Sequence, residues 1–235
     1  MMNDLVPTIA LSYSRLSTFE QCPYKFKSQY IDKDYPDDSN NPAFVKGSQI
    51  HGQLEDYIVW LNSDQSGEQP VLGSIAQNAK AMIDDLHKAS EGNIFPEKQI
   101  AVDQNWNKCD WFDKPHVVKY RAIIDTLVFL GPILLIIDWK TGKFRAYEAS
   151  DTSQLRLTAA ILFNLYPKVE KIVTSYMFVE HQRTVKLEFT RDDIGELMAP
   201  FDHAHYVVNS EQDFDFKKNR FCNWCLSKTC PIRKK

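Results

Sequence analysis

The sequence predicts a mixed α/β protein of the α+β kind, with a mixed central sheet flanked by helices on both faces. Three observations carry that expectation. Apolar residues recur at helical spacing through much of the first ninety positions. Two strand patterns, Val117 to Leu130 and Ile133 to Lys140, whose stretches IIDTLVFL and ILLIID are apolar on both faces, then meet at Gly131-Pro132. A helical pattern and two more strand patterns follow, an order that suits helices layered on a sheet.

Taken in order, SYSRLSTFEQCPYKFKSQYI reads as two short helical pieces, with Ser14 or Ser17 as cap and Pro23 restarting the second. A loop rich in Asp, Asn and Pro spans Asp32 to Pro42. Between Phe44 and Leu61, the residues Ile50, Leu54, Tyr57, Ile58 and Leu61 mark an amphipathic helix. Asn62 to Pro70 is a polar loop, and Ser74 to Ala89 a further helix. Lys98 to Val102 begins the strands. After the hairpin come a helix over Asp151 to Tyr166, strands at Lys171–Val179 and Thr184–Phe189, and a helix from Asp192 to Val208.

The 235 residues carry a net charge of −3, which hides an asymmetry. Lys217 to Lys235 holds seven Lys/Arg and no acid, leaving −10 on the rest. No stretch suits a membrane span: the longest apolar run, Leu127 to Ile137, falls short of the roughly 18 residues needed. The start, MMNDLVPTIA, lacks a signal-peptide pattern, so a reducing, cytoplasmic setting is expected. Clustered cysteines there read as metal ligands before disulfides.

The hairpin is the most informative feature. A two-residue type II′ turn at Gly131-Pro132 makes facing positions sum to 263, as Asp125 and Asp138 do. Their Cβ atoms would stand roughly 4.5–5.5 Å apart, and like charges so placed repel unless neutralised. Mg²⁺ or Mn²⁺, which prefer oxygen ligands, would neutralise them. Lys140 follows on the same face, placed to orient a water for attack on a phosphodiester. The plainer reading is a pair of strand-end charges in solvent; the register of Asp125 favours a metal site. A phosphate-binding loop at Lys140–Lys143 is excluded, because Ile137 and Phe144 stand where Gly and Ser/Thr are required.

Asp125 with Asp138-Trp139-Lys140-Thr141-Gly142 resembles the core of the PD-(D/E)XK nuclease superfamily in its RecB-like branch. LSYSRLSTFEQCPYKF resembles that branch's N-terminal segment. Gly47 to His51 resembles its Gly-x-x-x-His helix, and Gln154 onward its Gln-x-x-x-Tyr helix, with Thr158 in place of the tyrosine. Ala122-Ile123 replaces the usual small-plus-basic lead-in. The resemblance implies a restriction-endonuclease-like fold. It implies His51 as a metal ligand beside Asp125 and Asp138, Gln154 positioning substrate or Lys140, and Glu97 as a further acidic ligand. Glu55 reads as solvated or supporting. His87, His116, His181, His203 and His205 lack metal spacing and read as structural.

Cys222, Cys225 and Cys230 form C-x2-C-x4-C-P, strong evidence for a metal or cluster that needs a fourth ligand. The resemblance points to Cys22 as that ligand and to a [4Fe–4S] cluster stapling the two ends; structural Zn²⁺ is the alternative, and Cys109 the rival thiol. The tail's Lys217, Lys218, Arg220 and Trp224 suit a nucleic-acid backbone with stacked bases, or a solvated C-terminus.

The expected protein is one nuclease domain over 1–235, its core at about 44–190 and its cluster-binding elements at 14–31 and 217–235. Its expected activity is metal-dependent DNA exonuclease action on single strands or ends. The resemblance implies partners in recombination, replication or CRISPR adaptation, and none in a membrane. The alternative is a non-catalytic nucleic-acid-binding subunit.

Overall fold

The computed structural model describes residues 9–114, 117–144 and 151–232. His116 and the tail residues Arg233, Lys234 and Lys235 lie outside the described residues. The helices are α1 (Tyr13–Gln21), α2 (Pro23–Phe26), α3 (Pro42–Asn62), α4 (Gln77–Ala89), α5 (Ser153–Leu165) and α6 (Ile194–Ser210). The strands are β1 (Ile94–Asp103), β2 (Val118–Leu130), β3 (Ile133–Lys140), β4 (Lys171–Phe178) and β5 (Arg183–Thr190). No helix among the described residues is long and apolar enough to cross a membrane.

The five strands form one sheet in sequence order, antiparallel except where β3 meets β4. That parallel step requires a crossover, which α5 supplies. Leu127, Leu134 and Ile136 pack on one face with Leu157 and Ile161 of α5, Phe201 of α6 and Leu16 of α1. Val128, Ile137 and Trp139 pack on the other with Leu54 and Ile58 of α3 and Ile83 of α4. Helices therefore cover both faces, as the runs of two-faced apolar strand require. The expected fold class is the one observed.

The β2–β3 register holds the expected alignment from Leu130 opposite Ile133 down to Thr126 opposite Ile137. Gly131 sits at φ +59°, the left-handed region that the first position of the turn demands and that glycine adopts without a Cβ clash.

Three local details differ from the sequence expectation. Ser12, rather than Ser14 or Ser17, caps α1, its Oγ accepting from the Arg15 N–H. The fourth helix starts at Gln77 instead of Ser74. β1 begins at Ile94, because Ile94 and Phe95 pair with Val128 and Leu127.

Two anchors matter for the site. Where β3 no longer borders β2, Leu11 pairs there instead: its N–H donates to the Lys119 carbonyl and its carbonyl accepts from the Arg121 N–H. This seats α1 against the sheet. At the far end of α5, the Arg191 guanidinium donates to the carbonyls of Phe163, Tyr166 and Val169. A cation there satisfies carbonyls that the helix end leaves open and opposes its dipole.

Candidate active site

The middle of the sheet brings the predicted residues together. β2 supplies Asp125, β3 supplies Asp138 and Lys140, α5 supplies Gln154, α3 supplies His51 and β1 supplies Glu97. His51, Glu97 and Asp125 each offer one ligand atom, and these atoms lie within 4.8 Å of one another.

Trp139 holds two of the three, Asp125 and His51. Its backbone N–H donates to Asp125 Oδ2 at 2.8 Å. Its carbonyl lies 2.8 Å from His51 Nε2. Its indole N–H donates to Thr126 Oγ1 at 3.0 Å, pinning the ring in the core. A carbonyl can only accept, so Nε2 carries the imidazole proton. The lone pair of Nδ1 then faces Asp125 Oδ2, 3.6 Å away. Fixing the tautomer in this way is how a ligating histidine is aimed.

α3 comes this close because residue 47 is glycine: a Cβ there would stand 3.1 Å from Thr141 Oγ1. His51, one turn later, thereby falls beside the end of β3.

Glu97 lies opposite Asp125 in the β1–β2 ladder, between the pairs Pro96–Thr126 and Lys98–Ile124. Its φ is +44°, costly for a residue with a side chain and characteristic of functional positions. Its carboxyl stands within 4.8 Å of the His51 and Asp125 ligand atoms. Burial and the neighbouring Glu55 raise the Glu97 carboxyl above its ordinary range.

The second half of the site is a closed set of contacts. Lys140 Nζ stands 2.7 Å from Asp138 Oδ2 and donates to Gln154 Oε1 at 3.1 Å. Gln154 Nε2 donates to Asp138 Oδ1 at 2.5 Å. The ammonium also lies 4.5 Å from the centre of the Tyr176 ring. Tyr176 is the parallel-register partner of Asp138 across β3 and β4, so it was invisible until the strand order was known.

Asp138 is only 8% exposed. Burial raises its carboxyl, with Lys140 pulling the other way. Burial and the Asp138 charge push the Asp125 carboxyl up to about 8. One buried and two half-buried carboxyls, all raised above their ordinary range, make a site short of positive charge, which a divalent cation could supply.

Thr158 lines a small cleft with Asp125, Asp138 and Gln154, and its hydroxyl donates to the Gln154 carbonyl one turn back.

Cys22, Cys222, Cys225 and Cys230 line a single open cavity of about 190 Å³, together with Trp224 and Phe221. All are free thiols. Cys22 Sγ accepts from the Lys217 N–H and Cys222 Sγ from the Asn219 N–H. Cys109 packs elsewhere, beside Ala10, Ala101 and Val118. Of the tail residues, Lys217 Nζ donates to the Glu20 carbonyl, Arg220 lies over the Phe221 ring, and Trp224 is 74% exposed.

Carboxylates on two neighbouring strands, with a lysine and a glutamine linked to one and a histidine beside the other, make up a phosphodiesterase class of site. The chain belongs to the PD-(D/E)XK nuclease superfamily, whose family model matches residues 10–231. No curated protein matches the sequence. Among solved structures, SSO0001 is similar at 14% identity and a TM-score of 0.48, over 96% of this chain and 87% of that one. An exonuclease candidate from Eubacterium rectale is similar at 12% identity and 0.47, over 89% and 85%. Likeness at this level carries nothing about activity from those proteins to this one.

Proposed function

We propose that this chain is a Mg²⁺- or Mn²⁺-dependent DNA exonuclease that hydrolyses phosphodiester bonds in single strands or at ends, acting as one nuclease unit. The observation that carries the reading is the convergence of His51, Glu97 and Asp125 beside the linked set of Asp138, Lys140 and Gln154.

His51 Nδ1 and the carboxylates of Glu97, Asp125 and Asp138 would hold the cation, a nitrogen and oxygen donor set that suits Mg²⁺ or Mn²⁺. When bound, it supplies charge neutralisation at the phosphate and at the leaving oxygen. Lys140 carries three ammonium protons, two of which are taken by Asp138 and Gln154. The third is left to orient the attacking water and to meet the negative charge that grows on phosphorus oxygens as the bond breaks. Gln154 spans Lys140 and Asp138, so it fixes the ammonium in register with the strand.

The four cysteines would hold a [4Fe–4S] cluster. Their shared cavity has room for a multi-atom group, which favours the cluster over a lone Zn²⁺. When bound, it supplies a crosslink between chain ends some two hundred residues apart, where loop closure is costly.

The test is anaerobically purified protein incubated with Mn²⁺ and end-labelled single-stranded DNA, with RNA in parallel. Shortening of the DNA from one end, lost in Lys140→Ala, is expected. A parent protein that binds DNA without cutting it would instead favour the non-catalytic subunit.

A further inference from the structure

An open cavity of about 650 Å³ adjoins the catalytic set, reaching from Gln154 on α5 to the start of α1 and the outer half of β2. Arg15, Arg121 and Trp111 line it, with the hydroxyl side chains of Ser14 and Ser17. Arg121, Ile123 and Asp125 occupy alternate positions of β2, so Arg121 lies about 13 Å along the strand from the catalytic carboxylate. A substrate strand covers that distance within a few nucleotides of the scissile bond.

The charges in this cavity are unusual. Arg121 Nη2 donates to the Asp113 carbonyl, its guanidinium lies 5.7 Å from the Trp111 ring centre, and its Nε is buried without a partner. Arg15 donates to the Ala10 carbonyl and lies over the Tyr30 ring. Among the described residues neither guanidinium is paired with a carboxylate, and no acid lines the cavity. Burial lowers the pKa of Arg15, and the nearby Arg121 charge adds to the effect. Two partly desolvated, like-charged forks beside one another are unfavourable unless an anion joins them. Phe112, 85% exposed, stands next to Trp111 as a further stacking surface.

We propose that Arg15 and Arg121 form a phosphate-binding subsite for the substrate strand, with Trp111 and Phe112 stacking a base beside it. This rests on the nuclease reading above, and it adds the element that fixes the strand in register with the catalytic carboxylates. The ligand is a phosphate of the strand, either an internal phosphodiester or a terminal phosphomonoester. Leu11, by pairing with β2, is what brings the two arginines together.

The experiment is fluorescence anisotropy of a short single-stranded oligonucleotide with the holoprotein in Ca²⁺, where binding is read without cleavage. Arg15→Gln and Arg121→Gln are each expected to weaken binding about 10-fold and to lower the log Kd–log salt slope by about 0.7. In Mn²⁺ the same variants raise KM with little change in kcat, because the contact is made equally before and during reaction. The charge-keeping Arg→Lys variants retain the slope. Oligonucleotides with a 5′-phosphate, 3′-phosphate or neither separate the sources: a preference confined to one end assigns the terminal group, equal binding assigns the internal one. Hydrogen exchange on the unmutated protein gives a second reading, with protection on binding expected over residues 12–17 and 111–114. A double Gln variant that keeps both the parental affinity and the salt slope overturns the proposal. So does an absence of that protection, should the variants not fold. Absence of cleavage by the parent in Mn²⁺ would count against the nuclease reading alone.

Discussion

The carboxylate centre and the thiol cavity are both candidate metal sites, and they are assembled in opposite ways. At the carboxylate centre the sheet does the positioning. Asp125, Asp138 and Lys140 sit on adjacent paired strands, and the Trp139 backbone orients Asp125 and His51 with its own N–H and carbonyl. The thiol cavity has no such frame. Cys22 ends α1, and its partners lie in a short 3-10 turn and irregular chain around Cys222 to Cys230. A few polar links hold the two ends together: Asn219 Nδ2 to the Gln21 carbonyl, Tyr24 Oη to the Thr229 carbonyl, and the Leu226 N–H to Tyr35 Oη. One site is shaped by the sheet; the other rests on a few polar links between distant segments, which a bound metal or cluster would reinforce.

Removing a group from each site sharpens that contrast. Asp125→Asn is expected to lower turnover by about 10³-fold, since it removes a cation ligand from the reacting centre. It should also raise the metal-free Tm, because Asn keeps an acceptor for the Trp139 N–H while removing a buried, repelled charge. A fall in metal-free Tm would break the claim that the fold holds this site without metal. Cys222→Ser should do the reverse. It is expected to lower Tm by about 5 °C, roughly 2 kcal/mol for a chain of this size, and to expose residues 217–232 to protease. Turnover should fall less than in Asp125→Asn. Iron and zinc analysis of the parent decides between cluster and ion.

The pH dependence is a smaller effect. Asp125 binds its proton more tightly in the folded chain, at about 8 against an ordinary 3.8. Its contribution to stability is therefore fully present below pH 3.8 and is lost as the pH rises to about 8. Thermal melts of metal-free protein should decline over that window relative to Asp125→Asn. Mn²⁺, competing with the proton, should raise Tm more at pH 8 than at pH 6.

How much of this was legible before folding depended on distance along the chain. The hairpin could be read because Gly131-Pro132 punctuates two strongly apolar runs, which sets the expected register as far as Thr126 opposite Ile137; the ladder ends there, one pair short of the aspartates, where the Trp139 N–H is bonded to the Asp125 carboxylate. His51 and Gln154 came from the family resemblance, and the structure brings both to the site. Glu97 was the weakest of these: nothing in PEKQIAV announces a positive φ, which arises where β1 accommodates a carboxyl opposite Asp125. Tyr176 and the Arg15–Arg121 pair were not legible at all. Each depends on which strand or segment lies beside another, β4 against β3 and Leu11 against β2, and local pattern does not encode such neighbours. The cap at Ser12 was missed because three serines in close succession offer equivalent hydroxyls.

The smallest expected effect comes from Arg191. α5 spans about 20 Å from Gln154 to the carbonyls that this guanidinium gathers. Arg191→Ala leaves every group near the scissile bond intact, and a few-fold loss of kcat with Mn²⁺ affinity unchanged in titrations is expected. The helix then behaves as a lever with its tip at Gln154, against Lys140, and its handle in the 3-10 turn after β5. Turnover could be tuned from that handle, through changes some 20 Å from the carboxylates.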